Sequence, residues 1–226
     1  MADSNSSPVE REPFFNAPLV TLVIPLVILA GYGLQALAGP SSQEALADAF
    51  ALNPLLLRQG HWDLLLSHIF LHGSWAHAGL NAAFCLAFSA PMARAAGRGA
   101  GGVLSFLVFF LLCGAVAGLG YCVLNWHENV VIVGASGAIS GLMGASSRLM
   151  GMPRGQLNRF ASGPVVGMTV FWCGVNAASA FIPDLMGLGT GGAPVAWQDH
   201  VVGYLFGLFL IEPWLRLFHR QYFTTN

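Results

Sequence analysis

Four residues suited to acyl-transfer chemistry stand in apolar surroundings in this chain. They are Ser136 in "VVIVGASGAISGLMGA", His77 and Asn81 in "FLHGSWAHAGLN", and His200 in "DHVVGYLFG". A serine hydroxyl at its ordinary pKa is a weak nucleophile and needs an adjacent base, for which histidine is the usual choice. Such a site also needs donors aimed at the developing oxyanion, and the Ser136 backbone N–H with the side chains of His77 and Asn81 are of the right kind. His77 and Asn81 are four residues apart and project from one face of a helix. Gly134 and Gly137 stand on either side of Ser136 and relieve the steric cost of a close approach.

The elements that must position these groups follow from composition. Of 226 residues, 8% are charged and 55% hydrophobic, against roughly 25% charged in an average soluble domain. A membrane protein is implied, and a formal net charge of -1 argues against a nucleic-acid surface. Six apolar segments are long enough to be read as spans: Leu19 to Gly39, Ala76 to Ala93, Gly101 to Leu124, Val130 to Met150, Gly163 to Ile182 and Trp197 to Phe218. Residues 1–18 read as a retained, disordered tail, residues 19–220 as one all-α unit, and residues 221–226 as a short C-terminal tail. Between the first two spans, Pro40 to Trp75 is too polar to cross and is expected to lie in the interface as short amphipathic pieces.

The nine basic residues are all arginines. In a six-span layout Arg11, Arg94, Arg98, Arg148, Arg154, Arg159, Arg216 and Arg220 share one side and Arg58 stands alone opposite. The positive-inside rule then puts both termini of this multi-pass chain in the cytoplasm, and a bacterial inner membrane is the expected location. Counting from these arginines gives depth. Ser136 lies roughly 18 Å above Arg148, Asn81 roughly 20 Å and His77 roughly 25 Å above Arg94, and His200 roughly 24 Å above Arg216. Unsatisfied polar groups in hydrocarbon are costly, so groups at one depth are expected to converge. Gly137, Gly141 and Gly144 form one small-residue stripe and Gly203 with Gly207 another. Pressing the two together brings His200 toward Ser136.

Other readings of these residues remain open at this point. A serine in an apolar helix commonly bonds back to its own carbonyls, and His77 with Asn81 also suits an interhelical hydrogen bond. Asp199 reads as a solvated helix start on a different face from His200. His61, His127 and His219 read as interface or loop residues, and Cys85, Cys113, Cys122 and Cys173 as small buried hydrophobes. His68, His72 and His77 lack both an HExxH pattern and a carboxylate partner, so neither a metal nor any other cofactor is expected. The segment "MGLGTGGAPVAWQ" reads as a flexible connection. A transporter would show paired repeats and ionisable residues near the bilayer middle, and an aspartyl intramembrane protease a pair of carboxylates within the spans.

At "GASG", "HVVGYLFG" and "FLHGSWAHAGLN" the sequence resembles the rhomboid family of intramembrane serine proteases, from Leu19 to Phe218. The resemblance implies a six-helix bundle, a Ser/His dyad rather than a triad, a short fourth helix that starts below the outer surface, and a water-filled cavity open outward. It makes Ser136 the nucleophile, His200 the base, His77 and Asn81 oxyanion contributors, and His72 a supporting residue. The implied partners are transmembrane protein substrates in the lipid bilayer, cut near the outer face through an acyl-enzyme. The other reading is a rhomboid-like pseudoprotease that binds such clients without cutting. Two positions depart from the family pattern. Ser140 stands where members carry an aromatic residue that stacks on the catalytic histidine, and Trp62 is followed by Asp63 where arginine is common. Ser140, four after Ser136, is expected to face the same cavity as the nucleophile.

Overall fold

Long uncharged runs of Leu, Val, Ala, Phe and Gly become helices here because a helix satisfies its own backbone groups where no water can. The computed structural model describes residues 18–181 and 195–224. The tail before Pro18, with Arg11, and most of the connection before the sixth predicted span lie outside the described residues. Helices α1 (Val20–Leu37), α5 (Trp75–Ala96), α6 (Ala100–Leu124), α7 (Ser136–Leu149), α8 (Gly163–Phe181) and α9 (Trp197–Phe218) occupy the six predicted segments. Between α1 and α5 come α2 (Pro40–Phe50), α3 (Pro54–Arg58), α4 (Leu64–Ser67) and a 3-10 turn at His68–Phe70, and α10 (Gln221–Thr224) follows α9. Among the described residues three helices, α1, α6 and α9, are long and apolar enough to cross a membrane by themselves. Gln221–Thr224, read from the sequence as part of a tail, make a helical turn with Tyr222 buried.

The fourth predicted segment needs a correction. It was expected to be helical from Val130, but α7 begins at Ser136. The β-branched run Val130 to Val133 favours extended backbone, and Ile132 exchanges both backbone hydrogen bonds with Leu52, at 3.0 and 3.1 Å. Fourteen residues rise only about 21 Å, less than a bilayer core of roughly 30 Å. This short helix is also the centre of the bundle, with every residue from Gly137 to Leu149 buried.

Glycines let the neighbours reach it. A Cβ at Gly203 would strike the carbonyl oxygen of Gly137, one at Gly207 that of Gly141, and one at Gly144 that of Tyr204. Pairing Gly137 with Gly203 and Gly141 with Gly207 means that α7 and α9 run parallel and in register, backbone against backbone. On the flanks, Leu22, Leu26, Val27, Leu104, Val170, Phe171 and Phe209 are exposed apolar residues, as a surface solvated by lipid requires.

Six of the arginines line two cavities. Arg94, Arg98 and Arg154 line one cavity, where α5 ends and α6 begins, and Arg148, Arg159 and Arg216 line a second beside Glu212. Arg148 is buried, with its Nη2 2.7 Å from Glu212 Oε2 and its guanidinium 4.0 Å from the Phe160 ring centre. Asn158 closes this end of α7 by donating from Nδ2 to the carbonyls of Ser147 and Met150. Arg58 lies near Trp126, beyond the far end of α6.

The α7–α9 contact predicts a contrast between two alanine substitutions. Gly207→Ala should destabilise by about 1–3 kcal/mol through overpacking. Gly174→Ala, in α8 with open space around it, should be neutral or add up to about 1 kcal/mol. Unfolding in detergent checks both, and equal behaviour of the two variants would contradict the packing described.

Candidate active site

The approach to Ser136 is held by the first loop. Gly134 has φ +121°, a conformation open to glycine and strained for other residues, and its N–H donates to the His68 carbonyl at 2.9 Å. Asn53 Nδ2 donates to Asn129 Oδ1 at 2.9 Å just upstream. Ala135 supplies no side-chain cap to α7, so the first N–H groups, Ser136 among them, have no acceptor within the helix. Such a helix start favours negative charge. Ser136 itself is half-buried.

His77 and Asn81 come to the same place from α5. A Cβ at Gly134 would lie 2.7 Å from His77 Nε2 and 3.5 Å from Asn81 Nδ2, so both nitrogens face the backbone two residues before Ser136. The Gly73 N–H donates to His77 Nδ1 at 3.4 Å, which leaves the ring proton on Nε2, the atom turned to Gly134. Asn81 is buried and its Nδ2 has no hydrogen-bond partner. An unsatisfied buried donor of this kind costs about 1–3 kcal/mol.

His72 stands behind this pair, its ring edge-on to His77 with centroids 5.1 Å apart. Gln35 of α1 grips its backbone from both sides, accepting from the His72 N–H at 3.3 Å and donating to its carbonyl at 3.5 Å. Burial, with His77 beside it, pushes the His72 pKa down to about 3. Burial likewise lowers His68 to about 4, while its Nδ1 donates to the Leu64 carbonyl at 2.8 Å.

His200 lies one helical turn before Gly203 on α9, and Gly203 touches Gly137, the residue after Ser136. The imidazole is therefore carried to the start of α7. Its Nδ1 is 2.6 Å from Asn176 Oδ1, and the Trp172 ring lies against it, tilted by 35° with centroids 5.9 Å apart. Both partners come from α8, and sequence reasoning missed both. The available signal was a lone amide in an apolar segment, one turn after a tryptophan.

Two sequence expectations are corrected here. Asp199 is not a solvated helix start: it is 3% exposed, its Oδ2 presses on Gly137, and its Oδ1 has no hydrogen-bond partner. The first turns of α7 and α9 meet at this carboxyl. Ser140 does not face an open cavity. It is fully buried and its Oγ donates back to the Ser136 carbonyl at 2.8 Å, so an aromatic ring there would overpack. The platform against His200 is Trp172 instead. Among the described residues, no three His, Cys, Asp or Glu side chains gather as a metal site would need.

Two comparisons with known proteins bear on the chain. A family model described as the Rhomboid domain matches residues 59–216. Rhomboid protease GluP of Bacillus subtilis (strain 168) is 32% identical over 124 residues, which are 55% of this chain and 23% of that protein. The aligned part thus spans less than a quarter of that relative's length.

The buried loop histidines give a pH dependence. Unfolded, both titrate near 6.5; folded, both stay neutral until about pH 4 or below. The unfolded chain therefore takes up protons that the folded one refuses, and stability is lost as pH falls below about 6.5. The melting temperature in detergent is expected to drop between pH 7 and 4.5, and to drop less in His72→Phe. An identical drop in that variant would place the loss elsewhere.

Proposed function

The chain belongs to the rhomboid family, and we propose that it is an intramembrane serine endopeptidase that cuts transmembrane substrates near the outer face of the membrane. The protease unit is residues 19–220, with six spans, both termini in the cytoplasm and the arginine-lined end inward. The reaction starts when His200 Nε2 takes the proton of Ser136 Oγ as that oxygen attacks a peptide carbonyl. The oxyanion accepts from the Ser136 N–H, His77 Nε2–H and Asn81 Nδ2–H. His200 then gives its proton to the leaving amine, and water cleaves the acyl-enzyme by the same steps in reverse order.

The observation that carries this reading is the contact of Gly203 with Gly137. It brings the helix turn bearing His200 to the helix start bearing Ser136, where His77 and Asn81 also converge. The unpartnered Asn81 amide supports it further, since a donor without an acceptor suits an oxygen that appears only during reaction. His72 supports His77 by packing. Gly134, Gly137, Gly203 and Gly207 serve by admitting close approach.

In liposomes with a reporter transmembrane segment, Ser136→Ala and His200→Ala should abolish cleavage; Ser136→Ala should melt like wild type, and His200→Ala should stay folded but melt lower, since it leaves the buried Asn176 carbonyl without its donor. Asn81→Ala should keep the fold and lose about 100- to 1000-fold in kcat. Cleavage that survives in Ser136→Ala would overturn the proposal.

A further inference from the structure

The base of the proposed dyad has a partner on a helix that carries none of the other reacting groups. We propose that Asn176 is a positioning residue: its side-chain carbonyl holds the proton on His200 Nδ1 and so keeps Nε2 as the atom that accepts the serine proton. This rests on the reading of Ser136 and His200 as nucleophile and base.

The amide of Asn176 has a fixed direction. Asn176 Nδ2 donates to the Trp172 carbonyl, one turn earlier on α8, at 2.9 Å. Turning the amide over would set its oxygen against that carbonyl and its NH2 against His200, losing the bond to Trp172. The backbone of α8 thereby fixes which end meets the imidazole, and the end that meets it is the acceptor, at 2.6 Å. An acceptor there is satisfied only by a protonated Nδ1. In the neutral ring, that tautomer leaves the lone pair on Nε2.

Burial makes the preference strong. Asn176 is 0% exposed and His200 8%, so no bulk water can substitute for either partner. In the other tautomer, the Nδ1 lone pair would face the Asn176 oxygen. Trp172, on the same face of α8, packs against the ring and limits its rotation. Together the two side chains fix both tautomer and tilt, the two properties that a base needs from its supporting residue. A neutral amide does this without placing a negative charge beside the imidazole. Replacing the amide by an apolar group or by a carboxylate therefore separates its two effects, orientation and electrostatics.

The test is the pH profile of kcat for wild type, Asn176→Leu and Asn176→Asp in liposomes, with melting temperatures measured alongside. Asn176→Leu should lose roughly 10- to 100-fold in kcat, the worth of one buried hydrogen bond, with KM little changed. Asn176→Asp should regain part of the loss, because a carboxylate accepts the same proton. Its acid limb should move to higher pH, because the added charge favours the imidazolium. A packing role alone predicts losses that follow melting temperature and no shifted limb. Wild-type kcat in Asn176→Leu, or an unshifted limb in a folded and active Asn176→Asp, would overturn the proposal. If wild type cleaves no reporter, the endopeptidase reading fails and the tautomer is still measurable. In 15N spectra of histidine-labelled protein, with His200 assigned from His200→Gln, Nδ1 should carry the proton in wild type, and both tautomers should appear in Asn176→Leu. A neutral wild-type ring protonated at Nε2 would contradict the role of Asn176.

Discussion

Where Gly203 rests on the carbonyl of Gly137 and Gly207 on that of Gly141, no side chain separates the backbones of α7 and α9. Two helices usually stand 8–10 Å apart because side chains fill the gap. Removing them at successive turns draws the axes together and locks the register, since a slip of one residue would drive a side chain into a carbonyl. Everything at the end of the bundle where α7 and α9 begin inherits that register. The turn of α9 that carries His200 meets the start of α7, Asp199 closes on Gly137, and α7, short as it is, is buried from Gly137 to Leu149.

A second constraint acts from the loop side. A helix that starts inside the bundle needs its incoming chain held, or its first N–H groups would not keep a fixed direction. Leu52 pairs with Ile132, the His68 carbonyl accepts from Gly134, and Asn53 bonds Asn129. Gln35 of α1 anchors His72 in turn. Each of these links spans a long stretch of sequence, so the polar first loop is part of the frame of the site.

Much of the candidate site could be proposed from the sequence because polar residues in the apolar segments are few and their depths can be counted. Ser136, His77, Asn81 and His200 emerged in this way, and the glycine stripes indicated which helices meet. The start of α7 was not legible from hydropathy, since Val130 to Val133 are as apolar as a helix and only their pairing with Leu52 makes them extended. Asp199 looked solvated because a carboxylate at a helix start usually is; its burial follows from the close α7–α9 approach, which hydropathy does not measure. Asn176 and Trp172 escaped notice because their partner lies on another helix, and helix order alone does not say which face of α8 turns inward. Ser140 is matched to a family position by spacing, and spacing does not measure the full burial that turns its hydroxyl back onto the Ser136 carbonyl.

The central claim is that Ser136 is a nucleophile made reactive by His200. Mass spectrometry of the protein after exposure to a fluorophosphonate tests it most directly, since such a reagent phosphonylates a serine only when a base activates it. The account predicts one adduct per chain, on the peptide that contains Ser136, absent from His200→Ala at the same exposure. An adduct that forms as fast in His200→Ala, or a folded wild-type protein that takes up none, would contradict it.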